Sequence, residues 1–152
     1  MTRIWALVWI LLPAAALAPA APALKDPPPK EPPIHGEWLR VGHTNAGAPV
    51  GPDHAPHHQV FKADGQWEYW YGTRQANPGN HRFVTDSRQK LPTIDIDVGP
   101  GGQSGYRGIY KVEGDTLTLC LAIGDRERPK AFESSADQPT TIWVFKRVQP
   151  KD

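Results

Sequence analysis

A chain of 152 residues fits one domain on a prior of about 100 to 200 residues each, and leaves no room for a second core. Its 17 basic and 16 acidic residues nearly cancel and are interspersed, which excludes the clustered Lys and Arg on which nucleic-acid and anionic-membrane binding rest. One cysteine, Cys120, excludes an internal disulfide, so the fold must stand on its hydrophobic core.

Residues 1–23 read as a secretory signal peptide. Arg3 is the positive leader, Ile4 to Leu12 an uninterrupted apolar run, and Pro13 breaks that run before an alanine-rich stretch. Cleavage is expected after Ala20 or Ala23, where small residues flank the cut. The apolar run is far shorter than the roughly 20 residues a membrane-crossing helix needs. No integral membrane segment is therefore expected after cleavage, and the protein is expected to be exported, periplasmic or extracellular. Residues 24–33 follow as a charged polyproline spacer, Lys25-Asp26-Pro27-Pro28-Pro29-Lys30-Glu31-Pro32-Pro33, extended and without internal hydrogen bonds. The folding unit is then 34–148, with a short tail at 149–152. A unit of about 115 residues buries over about 60% of its unfolded surface, enough for one core without staples.

Within that unit, short runs rich in β-branched and aromatic residues alternate with Gly, Pro, Asn and Asp. Gly36 to His43 is expected as a first strand carrying Trp38. The stretch Thr44 to Pro56, rich in Gly, Pro, Ala and His, reads as a long loop. His57 to Ala63 and Gln66 to Tyr71 form a hairpin through Asp64-Gly65, a pair suited to the positive φ angles of a tight primed turn. His81 to Asp86 follows. Thr93 to Val98 alternates strictly, with Ile94, Ile96 and Val98 against Asp95 and Asp97, as a half-buried strand does. Tyr106 to Val112 and Thr116 to Ile123 make a second hairpin, in which Leu117, Leu119 and Leu121 share one face and Thr118, Cys120 and Ala122 the other. Pro129 to Ser134 and Thr140 to Arg147 complete the set. No helical stretch is expected. The fold class is all-β: an antiparallel up-and-down barrel of about eight strands, closed so that no long edge stays exposed. An immunoglobulin-like sandwich is the competitor, without a Cys-Trp-Cys framework to support it.

The run Gly108-Ile109-Tyr110-Lys111-Val112-Glu113-Gly114-Asp115-Thr116-Leu117-Thr118-Leu119-Cys120, the step Arg128-Pro129-Lys130-Ala131-Phe132 and the closing Phe145-Lys146-Arg147 resemble the uncharacterised lipocalin-like domain found in many copies in planctomycete bacteria. Gly36-Glu37-Trp38 is similar to that family's Gly-x-Trp opening. The resemblance implies a lipocalin-like barrel and an exported location, and it implies no reaction. Two departures stand out: Thr44 to His58 is rich in Gly, Pro and His where the family is densely charged, and Asp64 to Tyr71 is unusually aromatic.

Candidate site residues each carry a bland alternative. Trp67, Tyr69 and Tyr71 share one strand face, with Glu68 and Trp70 on the other; such a rank lines a ligand cavity or simply fills a core. Tyr110 joins them as a ligand-lining candidate. Trp70 on the opposite face needs either a cover or a partner. Arg128, with Arg126, Lys130 and Arg107, reads as a mouth for an anionic ligand or as salt bridges to Asp125, Glu127 and Asp115. His54, His57 and His58 are the metal-ligand candidates, but adjacent His57 and His58 on a strand point to opposite faces and only Asp53 stands near. Asp95 and Asp97 share a face as paired carboxylates or as solvent-facing charges. Cys120, lacking a local base, reads as a packing residue. Gly99 to Gly105 is glycine-rich without the Lys-Ser or Lys-Thr of a phosphate loop. No cofactor is expected. The leading functional expectation is a non-enzymatic module binding a small apolar or amphipathic ligand. A protein-interaction or inhibitor domain, using the aromatic strand and the His-rich loop, comes second, and a hydrolytic enzyme third.

Overall fold

The structure is a computed structural model that describes residues 34–51, 57–76, 81–97 and 105–149. The expected signal peptide, the proline-rich spacer, His54, Val98 and residues 99–104 lie outside the described residues. The chain forms ten strands: β1 (Gly36–Asn45), β2 (Ala48–Pro49), β3 (His57–Phe61), β4 (Trp67–Tyr71), β5 (Arg74–Gln75), β6 (Phe83–Asp86), β7 (Thr93–Ile96), β8 (Tyr106–Glu113), β9 (Thr116–Ile123) and β10 (Thr141–Arg147). No helix occurs among the described residues.

Every pairing is antiparallel, in the order β5-β4-β3-β1-β10-β9-β8-β7-β6, with β2 folded back on β1. The path is a meander except at β1, which sits between β3 and β10 and so ties the start of the domain to its end. The sheet curls into a half-barrel whose two ends touch at one corner. There Gln66 bridges Arg82, the Trp67 amide donates to the His81 carbonyl at 2.9 Å and the Phe83 amide to the Gly65 carbonyl at 2.9 Å.

The inner face follows from the strand alternation. Trp38, Phe61, Trp67, Phe83, Ile94, Ile96, Tyr110, Val112, Leu117, Leu119, Leu121, Trp143 and Phe145 form one continuous buried cluster. Leu117, Leu119 and Leu121 are fully buried, as their shared face requires. The register of β1 against β10 shifts between Arg40 and Gly42, which leaves Val41 as an extra residue, 57% exposed. Such a bulge bends and twists its strand, here in the middle of the sheet. Trp38 seals one end of the interior. Its Nε1 donates to the Ile34 carbonyl at 2.7 Å, and the Arg147 guanidinium lies over its ring, 4.0 Å from the centroid.

Four expectations are corrected. Among the described residues the strands number ten rather than about eight, with the short β2 and β5 among them, and they form a curled half-barrel. Pro129 to Ser134 is not a strand; residues 124–140 form a strap across the outer face of β9. Pro129 has no amide to give a ladder, and this segment's polar groups bond elsewhere. Thr140 Oγ1 donates to the Glu133 carbonyl at 2.7 Å, Ser134 Oγ to the Thr140 carbonyl at 2.6 Å, and the Gly47 amide to Ser134 Oγ at 2.9 Å. The stretch after residue 43 is not loop throughout, since β1 runs on to Asn45 and turns through Ala46-Gly47 into β2. The Asp64-Gly65 turn is not a primed two-residue turn either. Among its residues only Gly65 has positive φ, 81°, and its amide closes onto the Lys62 carbonyl at 3.0 Å, so the loop is a type I turn ending in a glycine bulge.

The Ala46-Gly47 turn does have the primed geometry, with φ of 48° and 82°. Alanine at such a φ is strained by roughly 1–2 kcal/mol, whereas Asn adopts it readily and Asn-Gly is the favoured pair. Ala46→Asn is expected to raise stability by about 1 kcal/mol, read as a higher urea midpoint at unchanged m-value. An unchanged or lower midpoint would contradict this turn.

Candidate functional site

The inner face changes character along its length. Around Trp38, Phe61, Phe83 and Phe145 it is apolar and closed. Toward the end of β1 and the start of β3 it becomes polar and aromatic. Pairing fixes which side chains face inward there. Arg40 stands opposite Phe145, His43 opposite Trp143 and Asn45 opposite Thr141. His57 stands opposite Tyr71 on the same face as Phe61 and Trp67, and Tyr106 opposite Ile96.

Two clusters result. On β3 and β4, His57 Nδ1 is hydrogen-bonded to the Tyr69 hydroxyl, and the two rings stack with centroids 5.4 Å apart. Tyr71 meets the same imidazole edge-on at 4.7 Å. Trp67 lies parallel to Tyr69 at 6.3 Å and gives its indole N–H to Gln59 Oε1 at 3.1 Å. On β1, β8 and β10, Trp143 is met edge-on by Tyr106 at 5.3 Å and by His43 at 6.3 Å, while the Arg40 guanidinium stands 6.0 Å from its ring. Trp143 is 8% exposed and its Nε1 has no hydrogen-bond partner among the described residues. Burial pushes the Tyr106 hydroxyl above the ordinary phenol range, with the Arg40 charge opposing it, so Tyr106 is a neutral donor at physiological pH.

Of the residues singled out from sequence, Tyr69 and Tyr71 reach this end, Tyr69 partly buried against the core and Tyr71 39% exposed at its rim. Trp67 and Tyr110 belong to the core cluster beneath. Arg107 and Arg128 do not join them. Arg107 is exposed on the outer face, opposite Asp95 and Ala122. Arg128 pins the strap to the sheet: Nη1 donates to the carbonyls of Ile94 at 3.0 Å and Gly108 at 2.7 Å, and Nη2 donates to both oxygens of Asp95 at 2.7 and 3.0 Å. Its carboxylate partner is thus Asp95 rather than Asp125, Glu127 or Asp115. A shallow groove of ≈ 870 Å³ runs beside this pin, lined by Leu91, Ile109 and Phe132 among others.

His57 and His58 point to opposite faces, His57 inward and His58 outward with Nδ1 2.7 Å from Glu37 Oε1. Among the described residues no three His, Cys, Asp or Glu side chains converge as a metal site. Trp70 is half-buried on the outer face and gives its N–H to Glu68 Oε2 at 3.2 Å. Cys120 is buried under the strap, its thiol near the Ala131 and Glu133 carbonyls at 3.5 and 3.6 Å. Burial pushes this thiol up, which suppresses the thiolate a nucleophile needs. Arg40, His43, Tyr106 and Trp143 were not singled out from sequence. Trp143 alternates with Phe145 on one strand and was open to detection. Arg40 follows Trp38 by simple alternation, whereas His43 points inward only because of a bulge that leaves no mark in composition.

Two outcomes test this geometry. Arg128→Lys keeps the charge but loses the planar fork, and is expected to cost about 2 kcal/mol in urea unfolding. Asp95→Asn, touching only the exposed half of the contact, is expected to cost less than about 1 kcal/mol. Equal small effects would mean that Arg128 does not hold the strap. Cys120 is expected to react with Ellman's reagent at pH 8 only upon unfolding; prompt reaction of native protein would contradict its burial.

No protein-family model matches this chain, and no match to it was found among curated proteins or among solved structures.

Proposed function

We propose that this protein is an exported, non-enzymatic binding module in which the half-barrel holds a small apolar or amphipathic ligand at the polar-aromatic end of its inner face. In this reading the curled sheet is a lipocalin-like barrel, akin to the planctomycete domains that the sequence resembles, delivered by the segment 1–23 and spaced from whatever precedes it by 24–33. The observation that carries the reading is the change along the inner face. A fully buried apolar floor gives way to Tyr69, Tyr71 and Tyr106, which are incompletely buried although they face inward. Ligand sites combine such an aromatic lining with a few placed polar groups, here His57, Arg40 and the Trp143 indole. Aromatic edges left part-covered retain surface that a ligand removes from water.

The reading is tested with the processed protein and the neutral fluorescent probe N-phenyl-1-naphthylamine. One equivalent is expected to bind with enhanced emission. Tyr106→Ala is expected to weaken binding about five- to tenfold, and Trp70→Ala, on the outer face, to leave it unchanged. Absence of uptake, or loss caused by Trp70→Ala in place of Tyr106→Ala, would overturn it. Native mass spectrometry of protein purified from its own host should show a bound small molecule.

A further inference from the structure

The groove beside the Arg128 pin lies on the outer face, where the strap meets the stretch before β7. Its floor is the cross-strand pair of Thr93 and Ile109, and its walls are residues 89–91 and 128–132. Its volume of ≈ 870 Å³ falls within the roughly 300–1,000 Å³ typical of small-ligand sites. Leu91, Ile109 and Phe132 make it apolar: Ile109 is 2% exposed, and Leu91 and Phe132 are half-buried. Both walls are held in place. Arg128 fixes one on the carbonyls of Ile94 and Gly108, and the Lys111 ammonium stands 5.4 Å from the centre of the Phe132 ring. On the other side the Tyr110 amide donates to the Pro92 carbonyl at 2.9 Å, and the Arg88 amide donates to Asp86 Oδ1 at 3.0 Å. A groove held in this way is formed before any ligand arrives, which lowers the cost of binding.

Charge at its rim has one sign. The charged residues that line the groove are Lys90, Arg128 and Lys130, with no carboxylate among them. Arg128 is engaged by Asp95. Lys130 meets Glu127 only at 3.5 Å, with the two side chains 87% and 89% exposed, a contact that water screens almost fully. Lys90 is exposed and takes part in none of the ion pairs among the described residues. The carboxylates on the flanking strands, Asp86, Asp95 and Glu113, are already held by Arg88, Arg128 and Lys111. The main chain, by contrast, offers little to a peptide. Thr93 and Ile109 belong to the β7–β8 ladder, Pro129 has no N–H, and the Ala131 carbonyl receives the Cys120 thiol at 3.5 Å. A polypeptide laid here would bury backbone groups without partners, a cost that a small molecule avoids.

We propose that this outer groove is a second binding site, for a small amphipathic carboxylate whose apolar body lies on Leu91, Ile109 and Phe132 and whose head group sits at the rim between Lys90 and Lys130. The site is separate from the one on the inner face and stands or falls without it. Burial of the apolar body supplies most of the affinity. The lysines select the sign of the head group, and because they are exposed, salt weakens that selection.

The experiment titrates the processed protein with decanoate, decan-1-ol and decylamine, which share one tail, and follows its ¹H–¹³C methyl spectrum. The methyl signals of Leu91 and Ile109, assigned through Leu91→Met and Ile109→Val, are expected to shift saturably with decanoate. Decanoate is expected to bind about three- to fivefold more tightly than decanol, and decylamine more weakly than either, with the preference fading from about 20 mM to about 500 mM NaCl. Lys90→Gln, a change at an exposed position, is expected to weaken decanoate about threefold and to leave decanol unchanged. Tyr106→Ala, on the inner face, is expected to alter neither. Stationary Leu91 and Ile109 methyls would overturn the groove, and equal binding of all three amphipaths would overturn the carboxylate. Decanoate weakened by Tyr106→Ala but not by Lys90→Gln would place the acid on the inner face, overturning the groove while leaving the binding module standing. Uptake of the peptide acid acetyl-Ala-Ala-Phe in place of decanoate would assign the groove to a protein carboxyl terminus and overturn the small-molecule ligand.

Discussion

The fold depends on how one end of the curled sheet is closed. Trp38 is completely buried at the start of β1, and Arg147, at the end of β10, covers its ring. The same guanidinium donates to the His35 carbonyl at 2.9 Å, and the Arg147 amide donates to the Asp115 carbonyl at 2.9 Å, so the first strand, the last strand and the β8–β9 turn meet at one residue pair. A cation over an indole that is shielded from water is worth about 2 kcal/mol, a large share of the margin by which a small domain is stable. Gly36 makes the approach feasible: its φ is +126°, and a Cβ there would stand 3.0 Å from the Arg147 guanidinium. Closure at this end is what lets the other end differ. With the apolar floor complete, aromatic and cationic residues farther along β1, β3, β8 and β10 are released from filling the core.

The strap serves the same division on the outside. Leu117, Leu119 and Leu121 fill the interior, but Cys120 and Ala122 on the outward side of β9 are equally apolar and need a cover. Residues 124–140 supply it, held by Arg128 on the carbonyls of Ile94 in β7 and Gly108 in β8 and by Ser134 against the β1–β2 turn. Arg128 is thereby committed to architecture.

Much of the fold could be read from alternation. Thr116 to Ile123 has its expected bounds and faces because three leucines at spacing two admit only one orientation. Tyr69 and Tyr71 likewise face as the aromatic spacing of β4 dictates. In sequence the strap reads as a strand because Ala131 and Phe132 mimic strand composition, while its real partners, Ile94, Gly108 and Asp95, lie far off in sequence. The inward turn of His43 was hidden for a different reason. A one-residue bulge at Val41 resets the alternation between Arg40 and His43, and no residue type announces it. Arg128 shows the general difficulty: an exposed-looking arginine becomes a ligand group or a staple according to which carbonyls the topology brings to it.

The most direct test is a double-mutant cycle on the closing pair, Trp38→Leu, Arg147→Met and the two combined, followed by urea unfolding. If Arg147 over Trp38 closes the sheet, the two losses fall short of additivity by about 1–2 kcal/mol. Losses that add to within about 0.3 kcal/mol would show that the two side chains act separately, and that the end of the half-barrel is held by something else.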